Sequence, residues 1–326
     1  MYYQLNKILN YKCVYNFIIG HRGVGKTYAL KCYCLRRFLK HGEEFVWVRR
    51  YKSELSEAKS DFMKDIAEKF PGIEVKIDGN RIVVNNKVAG YFIPLSVSSK
   101  FKSKPFPKVR TIVFDEFLIT KSSYKYLPNE TIIFNELYST VDRYKDVTTA
   151  FFIGNAISFV NPYFIDFKIY QTKNQFTLDP TKQAIVEHFK SQPFIDMAKA
   201  TKFGKLTAGT SYEKYAIENE YLEDNNNFIA KRPQKTTYLC CIVFEGKKLG
   251  FWLENKSGKV FACESYDKSS RRIFTLLCED HSPNMIMIRR LKLGYMRDLR
   301  HVYEQGKMYF EDQICKKLFE KIQMYL

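Results

Sequence analysis

"FIIGHRGVGKTYAL", Phe17–Leu30, decides how this chain is read. An apolar run enters Gly20, four residues intervene, and Gly25, Lys26 and Thr27 come next. This is the G-x-x-x-x-G-K-[ST] spacing of a phosphate-binding loop. Consecutive backbone N–H groups in such a loop point inward, and the helix that begins at its end adds partial positive charge. The stretch Gly20, His21, Arg22, Gly23, Val24, Gly25, Lys26, Thr27 and Tyr28 is therefore the expected cradle for ATP. Lys26 is placed to reach the β- and γ-phosphates, and the Thr27 hydroxyl to hold Mg²⁺.

The motif needs a strand before it and a helix after it, and the flanks supply both. Phe17–Ile19 reads as a buried strand, and Thr27 to about Leu39 as a helix stopped by Gly42. Phe45–Val48 reads as a second buried strand, with Arg49 and Arg50 just beyond it. Helical spacing over Ser53–Phe70 ends at Pro71. Hairpin signals at Asp78-Gly79 and Asn85-Asn86 suggest that residues 75–95 form an inserted meander.

Thr111–Phe114 is a third buried strand, and Asp115 and Glu116 end it. Carboxylates at the C-terminal end of a parallel strand lie at the edge where such sheets bind ligands. Asp115 is the expected second support of Mg²⁺, and Glu116 the expected general base for the attacking water. Asn129 is a candidate cap for a helix through Val141. Thr149–Ile153 is a fourth strand, ended by Gly154 and Asn155. Asn155 reads either as a sensor of the γ-phosphate or as a plain turn asparagine. Strands alternating with helices imply a largely parallel α/β sheet.

From residue 171 to about 235 the chain turns polar and reads as a linker with short helices. Thr236–Phe244, Leu249–Leu253 and Val260–Cys263 then read as strands, and Pro283–Tyr303 and Phe310–Tyr325 as helices. The expected division is 1–175, a linker at 176–235, and a second domain at 236–326.

Composition narrows the function. Of 326 residues, 45% are hydrophobic, enough to build two cores. No 18-residue apolar run suggests a membrane span, and MYYQLNKILNYK lacks the apolar region of a signal peptide. A cytoplasmic protein is expected. The eight cysteines contain no C-x-x-C pair, and reduced, buried thiols are the expectation. The net charge is +18, with 28 basic against 16 acidic residues up to position 175 and 25 against 19 beyond it. That excess suggests a polyanionic partner such as nucleic acid. Two basic stretches could contact phosphates: KFKSKPFPKVR, residues 100–110, and RRLKLGYMRDLR, residues 289–300. Alternatives for an ATPase of this charge are a helicase or repair ATPase, and a nucleotide-switched adaptor.

Several stretches, in order, resemble the DNA-packaging (encapsidation) ATPases of small podoviruses. They are NFIIGHRGVGKTYALK, EEFVWVRRYKSEL, IPLSVSS, TIVFDEF, LPNE, GNAISFVNPYF and KLGFWLE. The resemblance implies an ASCE-type P-loop ATPase domain, then a smaller RNase H-like α/β domain. It implies a homo-oligomeric ring, typically of five copies, on the portal vertex of a prohead, in the cytoplasm of an infected bacterium. It implies double-stranded viral DNA and a structural prohead RNA as partners. It places an arginine finger at the corner after the helix in LYSTVDR, which is Arg143, with Lys145 as a second candidate. The sequence departs from a working nuclease, because TTYLCCIVF carries no acid and Glu245 falls in the turn beyond it. Two-metal hydrolysis needs carboxylates there. A vestigial nuclease fold used for binding is the expectation, with a degraded manganese or magnesium nuclease as the alternative.

Overall fold

The structure, a computed structural model, describes the chain except residues 1, 61, 63, 65, 120–124, 170–173, 221–226, 289–293 and 324–326. It separates into two units, Met1–Glu223 and Asp224–Leu326.

The first unit is built on nine strands: β1 (Tyr15–Gly20), β2 (Glu44–Arg49), β3 (Val75–Asp78), β4 (Arg81–Val84), β5 (Lys87–Pro94), β6 (Val109–Asp115), β7 (Thr149–Gly154), β8 (Phe176–Leu178) and β9 (Ala184–Phe189). Their order across the sheet is β3-β4-β5-β2-β6-β7-β1-β9-β8. The six strands from β5 to β9 run parallel, and antiparallel pairs close both edges. Residues 75–95 form the expected meander, and its last strand joins β2, so the meander is also an edge of the main sheet. Their alternation specifies strands, but their partner β2 lies some 40 residues upstream.

The helices are α1 (Asn6–Leu9), α2 (Lys26–His41), α3 (Lys52–Ser60), α4 (Glu130–Asp142), α5 (Pro162–Asp166), α6 (Gln192–Ala200) and α7 (Lys202–Leu206). Successive strand residues face opposite sides of a sheet, so continuous apolar strands need cover on both. Ile18, Trp47, Val113 and Phe151 pack in one core with Leu30 and Leu35 of α2 and with Leu55. Phe17, Val48, Phe114 and Phe152 pack in the other with Phe134 and Leu137 of α4 and with Phe164 of α5. Phe152 lies 4.3 Å from the Phe17 ring and 4.5 Å from that of Phe134.

Several expectations change. Of the helix expected over Ser53–Phe70, the described residues hold α3, printed to Ser60, and a 3-10 turn at Ala67–Lys69. Asn129 does not cap α4 with its side chain; it takes a left-handed backbone. The Glu130 carboxylate accepts the Leu127 N–H at 2.9 Å instead. The boundary at 175 also moves, because β8 and β9 join the main sheet through ladder bonds between β9 and β1. The short helices expected in the linker, α6 and α7, belong to this unit as well.

The second unit has β10 (Thr237–Phe244), β11 (Lys247–Glu254), β12 (Lys259–Cys263), β13 (Ile273–Thr275), β14 (Ile286–Met287) and β15 (Met308–Phe310), with helices α8 (Gly294–Glu304) and α9 (Gln313–Gln323). The order is β14-β13-β10-β11-β12-β15. An antiparallel meander carries two parallel strands beside its first strand, the arrangement expected of an RNase H-like sheet. Leu318, Phe319 and Ile322 of α9 cover Ile242, Phe244 and Phe251. Of the helix expected over Pro283–Tyr303, the described residues hold α8 from Gly294, whereas Ile286 and Met287 form β14 and pair with β13. Arg289, Arg290 and Lys292 lie outside the described residues, whereas Arg297 and Arg300 are exposed on α8.

Candidate nucleotide site

The site collects the C-terminal ends of β1, β6 and β7, three adjacent parallel strands. Between β1 and α2 the chain turns through Gly23 at φ 80° and Gly25 at φ 88°, left-handed positions that favour glycine. Gly25 is also the N-cap of α2 and carries no side-chain cap. The first amide groups of that helix are left for a ligand. Arg22, Gly23, Gly25, Lys26, Thr27 and Tyr28 line a cavity of about 570 Å³, together with Asp115, Glu116, Gly154 and Asn155.

Not every loop side chain faces this cavity. Val24 is fully buried in the core under α2. His21 is also buried; its ring packs against Phe194 at 5.4 Å, and its Nε2 accepts the Ser191 N–H at 3.1 Å. Burial holds its pKa below the usual histidine range. Both residues anchor the loop, and Gly20 gives it room: a Cβ there would sit 3.3 Å from the Lys26 side chain.

Lys26 Nζ turns back on its own loop. It donates to the carbonyls of Gly20 and His21, each at 2.8 Å, and to Asn155 Oδ1 at 3.1 Å. Burial pulls its pKa down to about 7, against the opposing pull of Asp115 and Glu116. Thr27 Oγ1 faces Asp115 Oδ1 at 3.5 Å. Burial raises the Asp115 pKa, and Arg49 works against that rise. The residues fit a Mg²⁺-nucleotide: a buried ammonium bonded to loop carbonyls and one amide, a hydroxyl opposite a carboxylate, and uncapped amides around an open cavity. Mg²⁺ sites of this kind use one or two protein groups and take the remaining ligands from phosphate and water.

Sequence reasoning missed three residues. Arg49, at the end of β2, donates to Asp115 Oδ2 at 2.6 Å and pairs with Glu116 Oε2 at 2.7 Å. The Arg49-Arg50 pair after the strand was visible, but its target depends on β2 lying beside β6. Arg50, fully buried, makes two bonds to Glu130, at 2.7 and 2.9 Å, and donates to the carbonyls of Glu116 and Phe117. Tyr215 lines the cavity and bonds to Asn155 from a segment 60 residues further on. No local signal marks it.

Arg143 is not in the lining of this cavity. It is exposed at the C-cap of α4, in left-handed backbone at φ 53°. Asp142, the acid beside it, accepts the N–H groups of Asp146, Val147 and Thr148, at 2.9–3.0 Å. Lys145 is exposed on the same corner. In the basic stretch 100–110, Phe106 is buried and Phe101 packs on the core. Lys102 pairs with Glu136 at 2.9 Å, and Lys104 covers the Tyr91 ring at 4.7 Å.

Seven of the eight cysteines are buried; Cys278 is exposed, and all are free thiols. Among the described residues no helix is long and apolar enough to cross a membrane. The chain is 36% identical to the DNA packaging protein of Bacillus phage phi29 over 99% of its length and 98% of that protein's. It is 34% identical to the DNA packaging protein of Bacillus phage B103, over 97% and 100%. Among solved structures it matches a chain of the phi29 viral genome packaging motor assembly, with a TM-score of 0.83, 34% identity and 99% coverage of both chains. It also matches the N-terminal domain of the phi29 DNA packaging ATPase at 40% identity, with a TM-score of 0.55, over 59% of this chain and 98% of that one. The model of the podovirus DNA encapsidation protein (Gp16) family matches residues 1–324, and the chain belongs to that family.

Proposed function

We propose that this protein is an ATPase motor that drives double-stranded viral DNA into a preformed prohead. The observation that carries the reading is the convergence of Lys26, Thr27, Asp115, Glu116 and Asn155 on one cavity at a parallel-sheet edge. Bound Mg²⁺ would neutralise phosphate charge between Thr27 and Asp115. Lys26 exchanges its loop carbonyls for β- and γ-phosphate oxygens. Glu116, 60% exposed at its side chain, accepts the proton of the attacking water. Asn155, released by Lys26, contacts the γ-phosphate or that water.

Arg143 acts from a neighbouring copy. Its exposure and its absence from its own chain's cavity favour this reading, and a planar guanidinium suits the charge on a transferring phosphoryl group. The protein then works as a ring, here taken as five copies, on the portal vertex. It contacts DNA and the prohead RNA through its basic excess, in the cytoplasm of the infected bacterium. The second unit is a vestigial nuclease fold that binds rather than cuts. Its acids serve locally: Glu245 pairs with Lys321 at 2.8 Å, and Asp267 accepts the Ser269 N–H at 2.9 Å.

Mixed rings test the site. Glu116→Gln and Arg143→Ala each bind ATP and lose hydrolysis, by about 10³–10⁵ for the finger. Mixing the two inactive proteins should restore part of the turnover, because some interfaces then pair an intact Glu116 with an intact Arg143. No recovery in rings demonstrated to contain both would rule out the finger in trans.

A further inference from the structure

Among the described lining residues of the nucleotide cavity, Tyr215 alone follows β9 in the chain. It sits on a π-helical turn, Glu213–Ile217, where the Glu218 N–H donates to the Glu213 carbonyl at 2.9 Å. Such widened turns are rare and recur at functional sites. This one is tied to the phosphate loop and to β9. The Arg22 N–H donates to the Ala216 carbonyl at 3.4 Å, and Ala216 and Ile217 are buried. Asn219 Nδ2 donates to the Phe189 carbonyl, and the Asn219 carbonyl meets His188 Nε2, each at 2.9 Å. The Tyr215 ring packs against the core that holds Phe17 and Phe152. With backbone and ring fixed, the hydroxyl is the part left to act, and it bonds to Asn155. Burial raises its pKa, so it keeps its proton.

Asn155 needs such a holder. Its backbone is set, since its carbonyl accepts the Ile157 N–H at 2.9 Å. Its side-chain amide is not, because the torsion next to an amide group is broad and roughly two-fold. Without nucleotide, Lys26, which can only donate, holds the amide oxygen at 3.1 Å. Once Lys26 turns to phosphate, Tyr215 is the remaining side chain, among the described residues, that bonds to this amide.

We propose that Tyr215 is a positioning residue for hydrolysis: its hydroxyl holds the Asn155 amide in the orientation that meets the γ-phosphate or the attacking water after Lys26 has let go. The proposal rests on the reading of Asn155 given above and names what aims it. An amide turned the wrong way misaligns the reacting groups but leaves the loop, Lys26 and the metal side intact. Turnover should therefore fall while nucleotide affinity holds.

The test uses the full-length protein. Tyr215→Phe keeps the ring in the core and removes the hydroxyl. Its ATP turnover should fall about tenfold, the scale of one hydrogen bond, while calorimetry finds AMP-PNP with Mg²⁺ bound as tightly as by the native protein. Native turnover, or a loss matched by an equal loss of AMP-PNP affinity, overturns the proposal. Asn155→Ala and the double variant complete a cycle. If Tyr215 acts through Asn155, adding Tyr215→Phe to Asn155→Ala slows turnover no further; fully additive losses overturn the proposal. Thermal melting checks that Tyr215→Phe folds. If it melts early, 4-aminophenylalanine at position 215, which restores a hydrogen-bonding group on the ring, carries the test. Near-native turnover is then expected, and a loss of about tenfold, the same hydrogen-bond scale, overturns the proposal. Asn155→Ala also judges the reading underneath. Native turnover there removes the role of Asn155 and that of Tyr215 with it, whereas a slow Asn155→Ala beside a native Tyr215→Phe overturns the positioning role alone.

Discussion

Strands β6 and β10 are the same kind of element in different company. Each is an apolar run near the middle of its sheet, with Ile112–Phe114 and Cys240–Ile242 almost wholly buried. The difference lies just past the last apolar residue. β6 ends in Asp115, and Glu116 stands beyond it at an edge where the phosphate loop and Asn155 also arrive. β10 runs into the hairpin turn Glu245–Gly246 and returns antiparallel as β11. A parallel sheet gathers several strand ends on one side, so side chains distant in sequence can share a ligand. A hairpin uses the same position to reverse direction. Burial is similar in the two settings; the chemistry depends on the connectivity.

Within the phosphate loop that meets β6, a large effect is expected at Lys26. Lys26→Ala should lower ATP turnover by about 10²–10³, the cost of losing one preorganised donor, with weakened ATP binding. Its titration gives a second readout. Without nucleotide, burial holds the pKa near 7, so Lys26 loses its proton as pH rises through that value. Phosphate beside Nζ pushes the pKa back toward the ordinary lysine value. ATP binding between about pH 7 and 10 should therefore take up a proton. Calorimetry in buffers of different ionisation heat would measure that uptake, and Lys26→Ala should abolish it.

A comparable effect, read as stability, separates the two units. Arg50 and Glu130 are both fully buried, and Tyr163 adds a bond to Glu130 at 3.1 Å. Glu130→Gln leaves a buried guanidinium without its counter-charge, which costs about 3–5 kcal/mol. In urea the unfolding of the first unit should move to lower concentration while that of the second stays in place.

The smallest effect is expected in the stretch 100–110. Lys102 and Lys104 already have partners within the chain. Replacing Lys100, Lys102 and Lys104 with alanine should weaken DNA coupling modestly and flatten its salt dependence by about one unit of slope per lost phosphate contact. An unchanged slope would move the contact to another surface, such as the Arg297 and Arg300 face of α8.

Distance along the chain decides which features were legible in the sequence. The loop from Gly20 to Thr27, the carboxylates of β6 and the end of β7 are local patterns, and the structure brings them together. Arg49 and Arg50 stood out as residues, yet their roles depend on which strand lies next to β2. β8 and β9 passed for linker because the first is three residues long and the second carries Glu187 and His188. Only their pairing with each other and with β1 identifies them as part of the sheet. Tyr215 reaches the cavity by tertiary folding alone.

The central claim is that hydrolysis at the β1–β6–β7 edge moves DNA into a prohead. Purified proheads, DNA, ATP and this protein, with nuclease digestion afterwards, test it most directly. The account predicts DNA protected from the nuclease with the native protein, and no protection with Glu116→Gln. Unprotected DNA alongside normal ATP turnover by the native protein would contradict it.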